Sequence, residues 1–321
     1  MKTNELSKLL SKSGFTDKIN DYIKLSGDAS SREYFRIFTN NNSFIVSKEP
    51  AGGLQNIDFK KTSILFEKYL RTPKVIFTSD DATILVQEDV GDTSLQQYIC
   101  TKTVNERIAT LKEVVDEIHK YQKISIKEFK KYSSYEFDKD KLEFEFDLAN
   151  EYLVEKYLET NISKETLEET KRYLLDYFLE HKDVVCHRDY HSKNIMVKDN
   201  KLINIDYQDS RIGPRCYDLV SFLEDCYFDY GDIIKDELKK YFFEKSDFDT
   251  YAEFIEEYEL VKIQRLFKAL GSFTYLKIAK DKPSYEKYIG RTFENLRITL
   301  ENNKMLKPFS QAIIRAYYES K

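Results

Sequence analysis

Two kinds of hydrophobic periodicity divide this 321-residue chain, and they follow one another rather than alternate. Up to about residue 90 the apolar residues fall in short β-prone runs. Residues 34–39 (YFRIFT) and 43–48 (SFIVSK) read as strands on either side of Asn40-Asn41-Asn42, whose tolerance of positive φ predicts a hairpin turn. Residues 82–87 (ATILVQ) read as another strand, and 58–71, with Phe59, Ile64, Leu65 and Leu70, as a helix that stops before Pro73. Helical spacing then takes over. Asn105 is expected to cap a helix in which Ile108, Leu111, Val114, Val115 and Ile118 share a face. Further helices are expected over 142–158, 164–181 and 218–230, and Gly and Pro become sparse. Strands grouped first and helices after predict an α+β fold rather than an alternating βαβ sheet. The expected division is a strand-rich lobe at 1–90 and a larger helical lobe at 91–321, joined near residues 88–94.

Composition narrows the classes of function. With 41% hydrophobic and 14% aromatic residues the chain can bury proper cores. A formal charge of −5 argues against nucleic acid as the main partner. Cys100, Cys186, Cys216 and Cys226 show no CxxC spacing and read as free thiols of a reducing compartment. No apolar signal core opens the sequence and no run is long enough to span a bilayer, so a cytoplasmic protein without membrane association is expected.

The run HRDYHSKNIMVKDNKLINIDYQD carries the chemistry. Transfer of a phosphoryl group from a nucleotide needs a carboxylate to orient the attacking hydroxyl and accept its proton, and a cation to neutralise developing charge. Asp189 is placed to be that carboxylate, and Asn194 follows five positions later with a hard amide oxygen suited to Mg²⁺. Residues 195–197 and 202–205 predict two strands about a turn at Asp199-Asn200, which would return Asp206 to the same ion. His187 reads as support for the loop. His191, inside the loop, is either structural or turned toward the acceptor.

In this context HRD…N followed by an Asp-bearing strand end resembles the catalytic and metal segments of the protein-kinase-like superfamily. No D-F-G or A-P-E follows, so the segment is most similar to the aminoglycoside phosphotransferase and choline kinase group. The strings GDASSREYFRI (27–37), CHRDYHSKNIMV (186–197) and IDYQDSRIGPRCYDLVSFLEDCY (205–227) look like the bacterial N-acetylmuramate/N-acetylglucosamine anomeric kinases. FDLANEYLVEKYL (146–158) and IQRLFKALGSFTYL (263–276) resemble the helical part of that group. The resemblance implies a bilobal kinase-like fold, ATP and Mg²⁺ as cofactors, and a small sugar as the partner.

Several further residues are expected at the site. Ser30 and Ser31 would cover phosphates from a loop before the first clear strand. Lys48 shares strand parity with Phe44 and Val46 and would hold phosphates, paired with a glutamate such as Glu67. The resemblance places adenine against the backbone of residues 87–90, Glu88 among them. On the acceptor side stand His191, Asp209, Arg211, Arg215 and Glu224, with Arg211 or Arg215 able to meet an acceptor carboxylate. Asp218, at the start of a helix, reads as an N-terminal cap. Two other readings stay open: an aminoglycoside, choline-like alcohol or other aldose as acceptor, and a pseudokinase that binds nucleotide without turnover.

Overall fold

The computed structural model describes residues 3–25, 32–50 and 54–319. In chain order the first elements are α1 (Thr3–Lys12), β1 (Asp21–Leu25), β2 (Glu33–Phe38), β3 (Ser43–Lys48), α2 (Gln55–Phe66), β4 (Val75–Thr78), β5 (Ile84–Glu88) and α3 (Leu95–Cys100). Then come α4 (Val104–Gln122), α5 (Ile126–Phe129), α6 (Lys139–Ala149), a π-helical stretch (Asn150–Tyr157) and α7 (Lys164–Glu180). Four short strands follow: β6 (Val184–Cys186), β7 (Ile195–Lys198), β8 (Lys201–Asn204) and β9 (Arg211–Gly213). The chain ends in α8 (Tyr217–Leu223), α9 (Asp232–Phe243), α10 (Tyr251–Ile278), a 3₁₀ turn, α11 (Glu286–Asn302) and α12 (Lys307–Glu319). Among the described residues no helix is long and apolar enough to cross a membrane.

These elements form two compact units. One comprises Met1–Lys102, Lys127–Ser134 and Lys193–Ser210; the other comprises Thr103–Ile126, Tyr135–Ser192 and Arg211–Lys321. The first is built on an antiparallel sheet of order β1-β2-β3-β5-β4. Alternation along the strands puts Phe35, Ile37, Val46, Ile84 and Val86 on one face, where Leu6 and Leu10 of α1 cover them. The β2–β3 hairpin lies where the asparagines predict it, but none of the three has positive φ. Thr39 closes the turn instead: its N–H donates to Asn42 O at 2.8 Å and its hydroxyl accepts the Asn42 N–H at 3.2 Å. Where the chain leaves β5, Arg36 ties Asp89 (2.8 Å) to Asp92 (2.7 Å) across Gly91, which adopts φ +86°.

Residues 193–210 belong to this unit because the β7–β8 hairpin is fastened to it. Val197 N–H donates to Thr93 O at 2.8 Å and Asn204 N–H to Arg71 O at 2.9 Å. Met196 and Ile203 pack with Val90. Asp199 and Asn200 supply the two left-handed residues of the tight turn, with φ of 52° and 55°. The division by contacts thus differs from the split at residue 90 that composition predicts.

The second unit is helical. Thr103, not Asn105, caps α4, in a reciprocal box with Glu106. The helix expected over 142–158 is α6 continuing into the π-helical stretch. Gly271 of α10 faces that junction, and a Cβ there would overlap the Ala149 backbone. The helix expected over 218–230 ends at Leu223, because Asp225 turns the chain by accepting the Tyr227 N–H at 2.7 Å.

Candidate active site

In the helical unit the antiparallel pair β6–β9 delivers the chain into His187-Arg188-Asp189. Asp218 holds this loop. It accepts the N–H groups of His187 (2.6 Å) and Arg188 (2.9 Å) and the Tyr121 hydroxyl (2.8 Å), all buried. It is therefore a brace for the loop rather than the helix cap that its position suggests. Burial is the main cause of a raised Asp218 pKa. The brace supports an unusual backbone, since Arg188 has φ 78°, rare for a long side chain. The Arg188 guanidinium donates to the buried Glu145 at 2.8 Å. His187 is wholly buried and packs edge-on against Tyr190, in keeping with a supporting role.

Asp189 lies at a cavity of about 120 Å³, with its side chain 33% exposed. Burial alone would raise its pKa, but the charges of Arg188, Lys268 and Arg265 outweigh that and hold the carboxyl well below its usual range. It stays an anion that accepts hydrogen bonds. His191 and Glu224 line the same cavity, and the His191 N–H donates to Asp189 O at 3.1 Å. Glu224 is already engaged there: Lys235 (3.1 Å), Lys262 (3.4 Å) and the Tyr258 hydroxyl (2.8 Å) surround its carboxylate. Arg265 and Lys268 line it too, from α10. Burial pushes the Lys268 ammonium down to about 8, with Arg188 adding repulsion.

Two arginines expected beside Asp189 stand elsewhere in this unit. Arg211, on β9, is buried over the Tyr135 ring at 5.0 Å and donates to Glu136 O at 3.2 Å. Arg215 lies against Phe248 at 3.6 Å and donates to Glu253 at 2.7 Å, lining a separate cavity with Lys120, Lys123 and Lys245. The physical reason is local. The β6–β9 pairing turns the chain between Arg211 and Arg215, and acids on α10 capture the latter.

The sheet-based unit holds the second group. The β7–β8 hairpin brings Asn194 and Asp206 together, with Asn194 Nδ2 3.4 Å from Asp206 Oδ2 and the Ile205 N–H donating to Asn194 O at 3.0 Å. Asp206 has φ 63°, and Tyr207 fixes it by stacking on Phe59 and Phe66 of α2, ring centroids 4.9 and 5.3 Å away. Gln208 donates to Asp206 Oδ1 at 2.7 Å. An amide and a carboxylate this close are a hard-oxygen pair that fits Mg²⁺, with the Asn194 oxygen brought round by rotation about χ2. Asp209 lies in the turn that follows.

The nearby cation is one that sequence reasoning missed. Arg32, with its side chain 6% exposed, sits 3.9 Å from Asp206 and 5.2 Å from the Tyr34 ring. Lys48 instead shares the face of Val46, which α1 covers, and pairs with Glu33 at 3.1 Å rather than with Glu67. Glu88 ends β5, its N–H donating to Lys74 O at 2.9 Å and its carboxylate paired with Arg71. Ser30 and Ser31 lie outside the described residues.

The phosphotransferase enzyme family matches residues 21–254, most of the chain. The chain belongs to that family. This phosphotransferase uses a hydroxyl group as acceptor. It is 26% identical over 300 residues to the N-acetylmuramate/N-acetylglucosamine kinase of Neisseria meningitidis serogroup B, covering 90% of this chain and 88% of that one. The enzyme of the same name from Pseudomonas aeruginosa is 22% identical over 303 residues, with 91% and 88% covered. Solved structures share its protein-kinase-like fold. Choline kinase LicA from Streptococcus pneumoniae has a TM-score of 0.64 at 16% identity, over 92% of this chain and 99% of that one. The GDP complex of wild-type aminoglycoside 2'-phosphotransferase-IIIa has a TM-score of 0.62 at 15% identity, over 94% and 100%.

Proposed function

We propose that this phosphotransferase is an ATP-dependent amino-sugar kinase that phosphorylates the anomeric hydroxyl of N-acetylmuramate or N-acetylglucosamine. The observation that carries the reading is Asp189, an ionised carboxylate at a cavity, five residues before the Asn194–Asp206 pair. The kinases it resembles along nine-tenths of its length support the choice of acceptor.

Asp189 orients the sugar C1 hydroxyl and accepts its proton as the oxygen attacks. The new bond joins that oxygen to the γ-phosphorus, the bond from phosphorus to the β,γ-bridging oxygen breaks, and ADP departs with the electron pair. Because Asp189 is held strongly ionised, it serves mainly by orientation and takes the proton late. Mg²⁺ bound by Asn194 and Asp206 would neutralise charge on the phosphates. Arg32 adds a fixed cation beside Asp206.

A turnover screen over amino sugars, other aldoses, choline and aminoglycosides, with products read by phosphorus NMR, tests the reading. The expected product is an anomeric phosphate from an N-acetylated amino sugar. A primary-alcohol phosphate, or turnover of choline or an aminoglycoside alone, would overturn it.

A further inference from the structure

The cavity at Asp189 is lined by two cations as well as by carboxylates. Arg265 and Lys268 line it, and Lys141 and Arg188 act electrostatically on the same group of side chains. They meet two carboxylates, Glu145 and Asp189. Glu145 alone serves three of them, Arg188 at 2.8 Å, Lys141 at 3.6 Å and Lys268 at 3.7 Å. The other two acids of the cavity are committed. Glu224 is surrounded by its lysines, and Asp225 accepts the N–H groups of Ser192 (2.9 Å) and Tyr227 (2.7 Å).

Arg265 stands out within this group. Its hydrogen bonds go to neutral partners, Arg188 O at 3.0 Å and the Tyr217 hydroxyl at 3.2 Å. Among the described residues no carboxylate comes within 4.0 Å of its guanidinium nitrogens. Arg265 is half-buried and feels the Asp189 charge without touching it, so its guanidinium can still take an anion at hydrogen-bond distance. Lys268, 15% exposed and one helical turn further along α10, lines the same cavity. Two cations three positions apart on one helix face are neighbours in space. Together they offer a guanidinium fork and an ammonium, a good match for a carboxylate.

We infer that Arg265 and Lys268 read a carboxylate on the acceptor, so that the preferred substrate is an acidic sugar rather than a neutral one. The inference rests on the amino-sugar reading above and sharpens it. N-acetylmuramate carries a lactyl carboxylate, and N-acetylglucosamine is the same ring without it. A volume of about 120 Å³ is below the usual range for a small-molecule site, which suits a pocket that takes only the acidic branch and the reacting hydroxyl. Arg211 and Arg215, the arginines that sequence offers for this task, are engaged elsewhere.

The test compares both sugars in wild type, Arg265→Gln, Arg265→Lys and Lys268→Met, by kcat/KM and by calorimetric binding in the presence of ADP. The expected loss in Arg265→Gln is about 10–100-fold larger for N-acetylmuramate than for N-acetylglucosamine, falls mainly on KM, and is partly restored in Arg265→Lys. Equal losses for the two sugars would assign Arg265 a purely structural role and overturn the inference, as would equal binding of both sugars to wild type. Binding of N-acetylmuramate that depends on Arg265 but brings no turnover would uphold carboxylate recognition and sink the amino-sugar kinase reading instead.

Discussion

Arg32 is buried beside the carboxylate proposed to hold Mg²⁺, and a cation fixed there would meet the phosphates at little further cost in ordering. Arg32→Met is expected to raise KM for ATP by roughly 10–100-fold, the loss of one charge-assisted contact, with KM for the acceptor little changed. Lys48→Met, on the face covered by α1, should leave KM for ATP within about twofold. The reverse ranking would return the phosphate-binding role to Lys48. Asp189, Asn194 and Asp206 are the site residues that sequence proposes most directly, because one continuous loop and hairpin carry all three. It pointed to Lys48 because strand parity says which residues share a face, but not which face a helix will cover. Arg265 and Lys268 escaped notice because ordinary helical charges carry no signal until α10 packs beside the loop.

At the scale of elements, α10 both lines the cavity at Asp189 and runs through the helical core. Its Gly271 lets the end of α6 approach closely, with the π-helical stretch beginning at the next residue after Ala149. Gly271→Ala is expected to destabilise the protein by about 1–3 kcal/mol through overpacking, despite the better helix propensity of alanine. Thermal denaturation checks this, and an unchanged or higher Tm would show that the contact is not tight. Apolar spacing located α4, α6 and α7, the last almost to its ends, but it did not locate α10, and the helix read over 218–230 stops at Leu223. Thr103 displaced Asn105 as the cap of α4 because its hydroxyl and Glu106 satisfy each other's backbone donors. Asp218 was read as a cap because sequence shows only its own helix, not the His187 and Arg188 amides it meets.

For the molecule as a whole, the succession of strand-prone and helix-prone sequence correctly gave an α+β architecture. Residues 193–210 were assigned to the helical part by their position, yet they fold with the sheet-based unit. The reason lies in Met196 and Ile203, whose apolar side chains complete a small core with Val90, a pairing across the chain that no local pattern announces. The proposed phosphoryl transfer turns on one carboxylate. Steady-state turnover of Asp189→Asn with ATP and N-acetylmuramate, measured beside its affinity for ATP, tests it most directly. The expected result is a kcat lower by at least about 10²-fold with ATP binding retained; a variant that binds ATP and turns over at the wild-type rate would contradict the role proposed for Asp189.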